Sequence, residues 1–258
     1  MNRNEQMLRL ITALLAEQPE YNPIKIPETA QERWRILRSL MNLRPPMPAD
    51  PDFLALQDTF LQGETARKGI TRVGDLSPLQ EGLYLWQGDI TTLQADAVVN
   101  AANSQLLGCF VPCHGCIDNA IHTYAGVQLR QACHELMLWQ GTSEPAGTAK
   151  ITPGYNLPAD WVIHTVGPIV SGGLTPKHCG LLRSCYQACL ALAEERGLQS
   201  LAFCCISTGE FRFPLEQAAA IAVKTVKTFM REARSLKKIV FNVYKDRDMN
   251  IYQSLLRN

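Results

Sequence analysis

From Leu83 onward the chain alternates short apolar runs with longer stretches of helical periodicity, and that alternation narrows the fold more than any other feature. Residues 83–87, 97–100, 148–152, 161–166, 201–206 and 238–244 read as strands. Helices are predicted over 120–137, 176–195 and 215–231, with a short closing helix over 251–256. The run Leu201-Ala-Phe-Cys-Cys-Ile206 is apolar at every position, so neither face of that strand is built for water. Strands of this kind alternating with helices predict an α/β fold with a mostly parallel sheet covered on both faces. In such a sheet ligands bind beyond the carboxyl ends of the strands. Gly88-Asp89, Asn100 to Asn103 and Ser207 to Phe211 each follow a strand and are placed to converge on one crevice.

Residues 1–80 read as a separate helical extension, and residues 81–258 as the main domain. Met7, Leu8, Leu10, Ile11, Leu14 and Leu15 recur at helical spacing. Pro27-Glu28-Thr29 opens a second helix through Trp34, Leu37, Leu40 and Met41. Pro45, Pro46, Pro48 and Pro51 form a rigid connector to a third, short helix around Phe53, Leu56 and Phe60. No cluster of reactive residue types occurs here. The expected role is a cap packed on the main domain, with a partner-docking surface as the alternative.

Chemistry concentrates between Gly108 and His122. Cys109, His114 and Cys116 have the spacing C-x4-H-x-C. Two thiolates and an imidazole suit Zn²⁺, and three protein ligands leave the fourth position open, as in catalytic sites. Cys113 competes as the first cysteine on spacing alone, and free cysteines also serve as small apolar fillers. Asp118, in the first turn of the helix that follows, is placed to cap free N–H groups or to accept a hydrogen bond from a ligand.

Elsewhere the signals are weaker. Ser207-Thr208-Gly209 can turn N–H groups toward an anion such as a diphosphate, helped by the dipole of the helix after Pro214. Asp89 suits an exocyclic amine of a base, or equally a cap on Thr91 and Thr92. Phe211 and Phe213 offer stacking surfaces, and Asn103 both donates and accepts toward sugar hydroxyls. Charge excludes one class: 25 basic and 24 acidic side chains give no bulk drive toward nucleic acid. The same near-zero charge, with no exposed apolar repeat, makes a monomer the default expectation. Nine cysteines without a regular framework favour reduced thiols in a cytoplasm. Arg9 and Glu17 interrupt the opening segment, so it does not read as a secretory signal, and no apolar run reaches membrane-spanning length.

Taken together, Gly88-Asp-Ile-Thr91, Ala97-Val-Val-Asn-Ala-Ala-Asn103, Asp118-Asn-Ala-Ile-His122, Gly147 to Thr152, Val162 to Pro168 and Ile206-Ser-Thr-Gly209 resemble a macrodomain over roughly residues 83–256. Gly108 to His122 resembles the G-C-F-x-P-x-H-x-C-I-D-N-x-I-H signature of zinc-dependent macrodomains of bacteria and fungi, as does the helical extension. Some members are encoded beside a sirtuin-type ADP-ribosyltransferase and a lipoate-carrier protein. The resemblance implies a three-layer α/β/α fold with a mixed, mostly parallel sheet. It also implies hydrolysis of the bond joining ADP-ribose to a protein side chain, with aspartate or glutamate esters preferred. By that resemblance Cys109, His114 and Cys116 hold Zn²⁺, and Asp89 and Ile90 hold adenine. Ser207, Thr208, Gly209, Glu210 and Phe211 wrap the diphosphate and distal ribose. Asn103 and Asp118 face that ribose and are the catalytic pair, and Cys116 and Ile117 also contribute to substrate binding. His122 is expected to support or pack rather than act as a base. A non-hydrolytic ADP-ribose reader and a deacylase of O-acetyl-ADP-ribose are the alternatives.

Overall fold

The computed structural model describes residues 1–21 and 24–257. Three helices come first: α1 (Arg3–Glu17), α2 (Ala30–Leu43) and α3 (Pro51–Lys68). Asn2 caps α1 in a reciprocal box with Glu5, Thr29 caps α2, and Asp50 caps α3 ahead of Pro51. The third helix is 18 residues long, where apolar spacing predicts a short one. Its inner face carries Gln57, Glu64 and Thr65, which are polar yet buried, so an apolar count misses half its length.

Met7, Leu10, Leu14, Leu37, Leu40, Phe60 and Leu61 close a core of their own between these helices. Each such side chain contributes about 1.5–3 kcal/mol by leaving water. Trp34 packs against this core and the main one alike, its ring 5.7 Å from Phe60 and 5.9 Å from Tyr124. Arg44, 1% exposed, ion-pairs with Glu17 at 2.6 Å. It also donates to the carbonyls of Met47 and Pro48 at 3.0 Å, which ties down the proline-rich connector.

The chain continues with β1 (Thr71–Arg72), β2 (Leu83–Gln87), β3 (Leu93–Gln94), β4 (Ala97–Ala101), α4 (Ile117–Ala125), α5 (Val127–Gln140), β5 (Ala149–Pro153) and β6 (Trp161–Thr165). It continues with α6 (Pro176–Glu195), β7 (Ser200–Phe203), α7 (Leu215–Met230), β8 (Lys238–Val243) and α8 (Asp246–Arg257). Six strands form one sheet in the order β2-β8-β7-β4-β6-β5, all parallel except the edge strand β5. β1 and β3 form a separate two-stranded parallel pair. Strands β4, β7 and β8 are buried along nearly their whole length, as a sheet covered on both faces requires. This is an α/β architecture with a mixed, mostly parallel sheet preceded by a helical part.

Three boundaries differ from expectation. The helix predicted over 120–137 is two helices, broken at Gly126 with φ +100°. The left-handed φ there favours glycine, and a Cβ would also push against the Gln128 and Gln57 amides at 2.5 and 2.7 Å. Strand β7 stops at Phe203, where pairing with β8 ends and the chain turns into the loop before α7. The closing helix spans 12 residues; its polar first turn, with Asp246 and Asp248, carries no apolar signal. Because β2, β4, β6, β7 and β8 are parallel, the loops after them emerge at one edge.

Candidate active site and metal centre

The longest of those loops joins β4 to α4 and carries the C-x4-H-x-C run. Cys109 Sγ, a ring nitrogen of His114 and Cys116 Sγ all lie within 4.8 Å of one another. Cys109 Sγ is 3.7 Å from His114 Nδ1. Donors around a tetrahedral zinc sit about 3.5–4 Å apart, which the Cys109–His114 separation matches, and two thiolates with an imidazole are a donor set zinc takes. His114 turns its other nitrogen, Nε2, toward Glu210 Oε1 at 3.7 Å. Cys116 is also the N-cap of α4, its Sγ accepting from the Asn119 N–H at 3.4 Å. Burial pushes the Cys116 thiol up to about 12, with the nearby Cys109 and Asp118 charges acting the same way. A thiolate there needs a compensating cation.

Cys113 is turned away. Its backbone has φ +54°, and its Sγ lies 3.4 Å from both Ser39 Oγ and the Arg35 carbonyl on α2. The geometry thus groups Cys109, not Cys113, with His114 and Cys116.

Behind the loop stands Asp118, on the first turn of α4 and buried. Asn100 Nδ2 donates to Asp118 Oδ1 at 2.8 Å, and Asn103 Nδ2 approaches Oδ2 at 3.4 Å while donating to the Gly108 carbonyl at 3.0 Å. Burial pushes the Asp118 carboxyl up to about 6, against the Asn100 hydrogen bond and the Arg130 charge. Strand register places Asn100 beside His164. The Asn100 amide is 3.2 Å from His164 Nδ1, and His164 Nε2 is 2.9 Å from Thr152 Oγ1. Burial holds His164 down at about 3, so its ring is neutral, accepts at Nδ1 and donates at Nε2. His122, Cys133 and His164 form a second, wholly buried His/Cys group. Both nitrogens of His164 are already engaged, so this group completes the scaffold behind Asp118. His122 lies with Nε2 3.6 Å from Asp118 Oδ1, beyond hydrogen-bond range, and burial holds its pKa well down. Both of its ring nitrogens are buried without a hydrogen-bond partner among the described residues.

Across the edge, the loop after β7 adopts left-handed backbone at Ser207 (φ +65°) and Arg212 (φ +56°). The Arg212 and Phe213 N–H groups close it onto Gly209 and Ser207 carbonyls at 3.0 and 2.9 Å, and Val170 donates to the Phe211 carbonyl at 2.9 Å. Strain of this kind collects at ligand clamps. Helix α7 begins just after it with no side-chain cap, leaving its first N–H groups for an anion. Phe213 is buried in the core, while Phe211 stays partly exposed on the loop.

At the other end, Asp89 Oδ1 caps Thr91, accepting from its N–H at 3.0 Å and its hydroxyl at 2.6 Å. Its second oxygen ion-pairs with Lys68 of α3 at 2.7 Å. Burial alone would raise the carboxyl; the Lys68 and Thr91 hydrogen bonds outweigh it and hold the pKa low. Lys68 Nζ also sits 3.3 Å from the centre of the Tyr124 ring. Ile90 follows, buried. The capping role of Asp89 is therefore real, and any base amine would share this carboxylate with Lys68.

The Macro domain family model matches residues 99–222. A protein-ADP-ribose hydrolase of Treponema medium is 52% identical over 260 residues, covering 99% of this chain and 100% of the relative. The chain is a macrodomain. A protein-ADP-ribose hydrolase of Staphylococcus aureus (strain MRSA252) is 46% identical, with 95% of the macrodomain and 92% of the relative covered. The Trypanosoma brucei macrodomain in complex with ADP-ribose superposes with a TM-score of 0.66 at 28% identity, over 88% of this chain and 96% of that one. Within its family this macrodomain belongs with the protein-ADP-ribose hydrolases, which are enzymes. The match to them includes α1–α3, ahead of the segment the family model covers.

Sequence reasoning brought Cys109, His114, Cys116, Asn103, Asp118 and Glu210 to one edge, and the structure gathers them there. It missed Arg38, Lys68 and the Asn100–His164 pair. Arg38 and Lys68 reach the loops from a helical extension that shows no clustered chemistry. Asn100 and His164 carry a readable signal only once β4 and β6 are known to be neighbours.

Proposed function

We propose that this macrodomain is a zinc-dependent hydrolase that releases mono-ADP-ribose from modified protein side chains, aspartate and glutamate esters in particular. The observation that carries the proposal is the three-donor set of Cys109, His114 and Cys116 two residues from a buried Asp118 at the mouth of α4. Bound by those three residues, zinc would supply Lewis-acid stabilisation of developing negative charge on oxygen. Asp118, with its pKa near 6, is tuned to hold or take a proton from water or a ribose hydroxyl near neutral pH. Asn103 orients the distal ribose, and Asn100 fixes the Asp118 carboxylate. Ser207, Thr208, Gly209, Glu210 and Phe211 cradle the diphosphate and ribose, while Ile117 closes the floor and Asp89 with Ile90 receives adenine. The Trypanosoma brucei complex supports ADP-ribose as the ligand of this fold.

A cytoplasmic setting keeps the ligating thiols reduced, and among the described residues no helix is long and apolar enough to cross a membrane. A lipoate-carrier protein is the modified target that the family resemblance proposes. The test offers the enzyme glutamate-linked and serine-linked ADP-ribosylated proteins and O-acetyl-ADP-ribose side by side. Release of free ADP-ribose fastest from the glutamate-linked protein is expected. Binding without release would make the protein a reader, and exclusive turnover of the small ester would make it a deacylase.

A further inference from the structure

Helix α2 lies outside the segment matched by the family model, yet it grips the metal-binding loop from behind. Arg38 Nη2 donates to the His114 carbonyl at 2.9 Å and to Asn119 Oδ1 at 2.7 Å, with Nε adding a contact to the same Asn119 oxygen at 3.2 Å. Asn119 passes the constraint on. Its amide donates to the Val111 carbonyl at 3.0 Å, and its backbone N–H is the group that bonds Cys116 Sγ at 3.4 Å. One turn further along α2, Asn42 Oδ1 accepts from the Cys113 N–H at 2.9 Å and Asn42 Nδ2 donates to Thr123 Oγ1 at 3.0 Å. The backbone carbonyl of one ligand and the cap of another are thus both held through one guanidinium.

We infer that Arg38 is a positioning residue of the metal centre, and that the N-terminal helices are part of the site rather than a cover on it. The inference rests on the zinc-dependent reading above. Arg38 Nη2 bridges the His114 carbonyl and Asn119 Oδ1 while Nε holds the guanidinium plane against the same Asn119 oxygen; a lysine ammonium lacks that second, orienting contact. Without Arg38, α2 still holds the loop at Cys113 through Asn42, but the His114 carbonyl and the Asn119 side chain lose their shared donor, and His114 and Cys116 lose their fixed separation. Partners that orient metal ligands in this way typically change metal affinity by roughly 10–100-fold when removed.

The test compares full-length wild type, Arg38→Ala and Arg38→Lys in two measurements. Zinc affinity is read by competition with a chromophoric chelator. ADP affinity is read by calorimetry, because ADP has adenosine and diphosphate but no distal ribose and so reports the rest of the crevice. Arg38→Ala is expected to weaken zinc binding by roughly 10–100-fold with ADP binding unchanged, and Arg38→Lys to recover only part of the loss. Zinc affinity equal to wild type in either variant overturns the inference. Loss of ADP binding in step with zinc in both variants also overturns it, by making Arg38 a residue of the fold. Failure of wild type to bind ADP would strike the functional reading instead, leaving the zinc comparison to judge Arg38 alone.

Discussion

The amide of Asn100 donates to Asp118 Oδ1 over 2.8 Å, with both groups buried. Removing it frees the carboxylate to rotate and leaves a buried acceptor short of a partner. Asn100→Ala is expected to lower kcat by about 100-fold through misplacement, and to destabilise the fold by roughly 1–3 kcal/mol. Steady-state kinetics and urea unfolding check the two effects. A wild-type kcat would mean that Asp118 needs no orientation from β4.

Cys113 and Cys109 are distinguished by direction. Cys113 points to Ser39 and Arg35, and Cys109 to His114. Metal analysis of Cys113→Ala is therefore expected to find one zinc per chain, as in wild type. Cys109→Ser and Cys116→Ser are expected to lose it.

Gly108 enters the Cys109–Cys116 loop at φ +77°, and a Cβ there would lie 2.7 Å from the buried His122 ring. Gly108→Ala therefore combines left-handed backbone strain with a close contact on the His122 ring. A loss of about 2–4 kcal/mol in unfolding free energy is expected, along with weakened zinc binding as the loop shifts. Unfolding curves unchanged from wild type would show that the loop start is freer than this.

Glu64 gives a pH signature of its own. It is 4% exposed and pairs with Arg3 and Arg67, each at 2.6 Å. Burial alone would raise its carboxyl, but the Arg3 and Arg67 hydrogen bonds reverse this and hold it below the ordinary value. The folded pKa is lowered, so the unfolded chain binds the proton more tightly. The stabilisation is therefore complete above the unfolded value of about 4.3 and disappears as pH falls through the folded one. Glu64→Gln is expected to cost on the order of 2 kcal/mol at pH 7, and the gap to wild type should close in acid. A gap independent of pH would assign the effect to packing.

Much of the fold is legible in the residues because buried parallel strands cannot hide their apolar runs. β2 spans Leu83–Gln87 and α6 spans Pro176–Glu195, each at the expected limits. The candidate ligand cluster is equally plain, since Cys109, His114 and Cys116 are neighbours in sequence. Boundaries fail where polar residues are buried, as along α3, or where one glycine allows two elements to touch, as at Gly126. Arg38 and Lys68 stay hidden for another reason: an arginine or lysine on an amphipathic helix reads as solvated until tertiary structure brings it 81 residues away to Asn119 or 21 residues away to Asp89.

The most direct measurement follows ADP-ribose release from a glutamate-modified protein by zinc-loaded and chelator-stripped samples, with circular dichroism confirming that both stay folded. The expected result is turnover in the loaded sample, none in the stripped one, and recovery when zinc is restored. Undiminished release by the folded, metal-free protein would contradict the account.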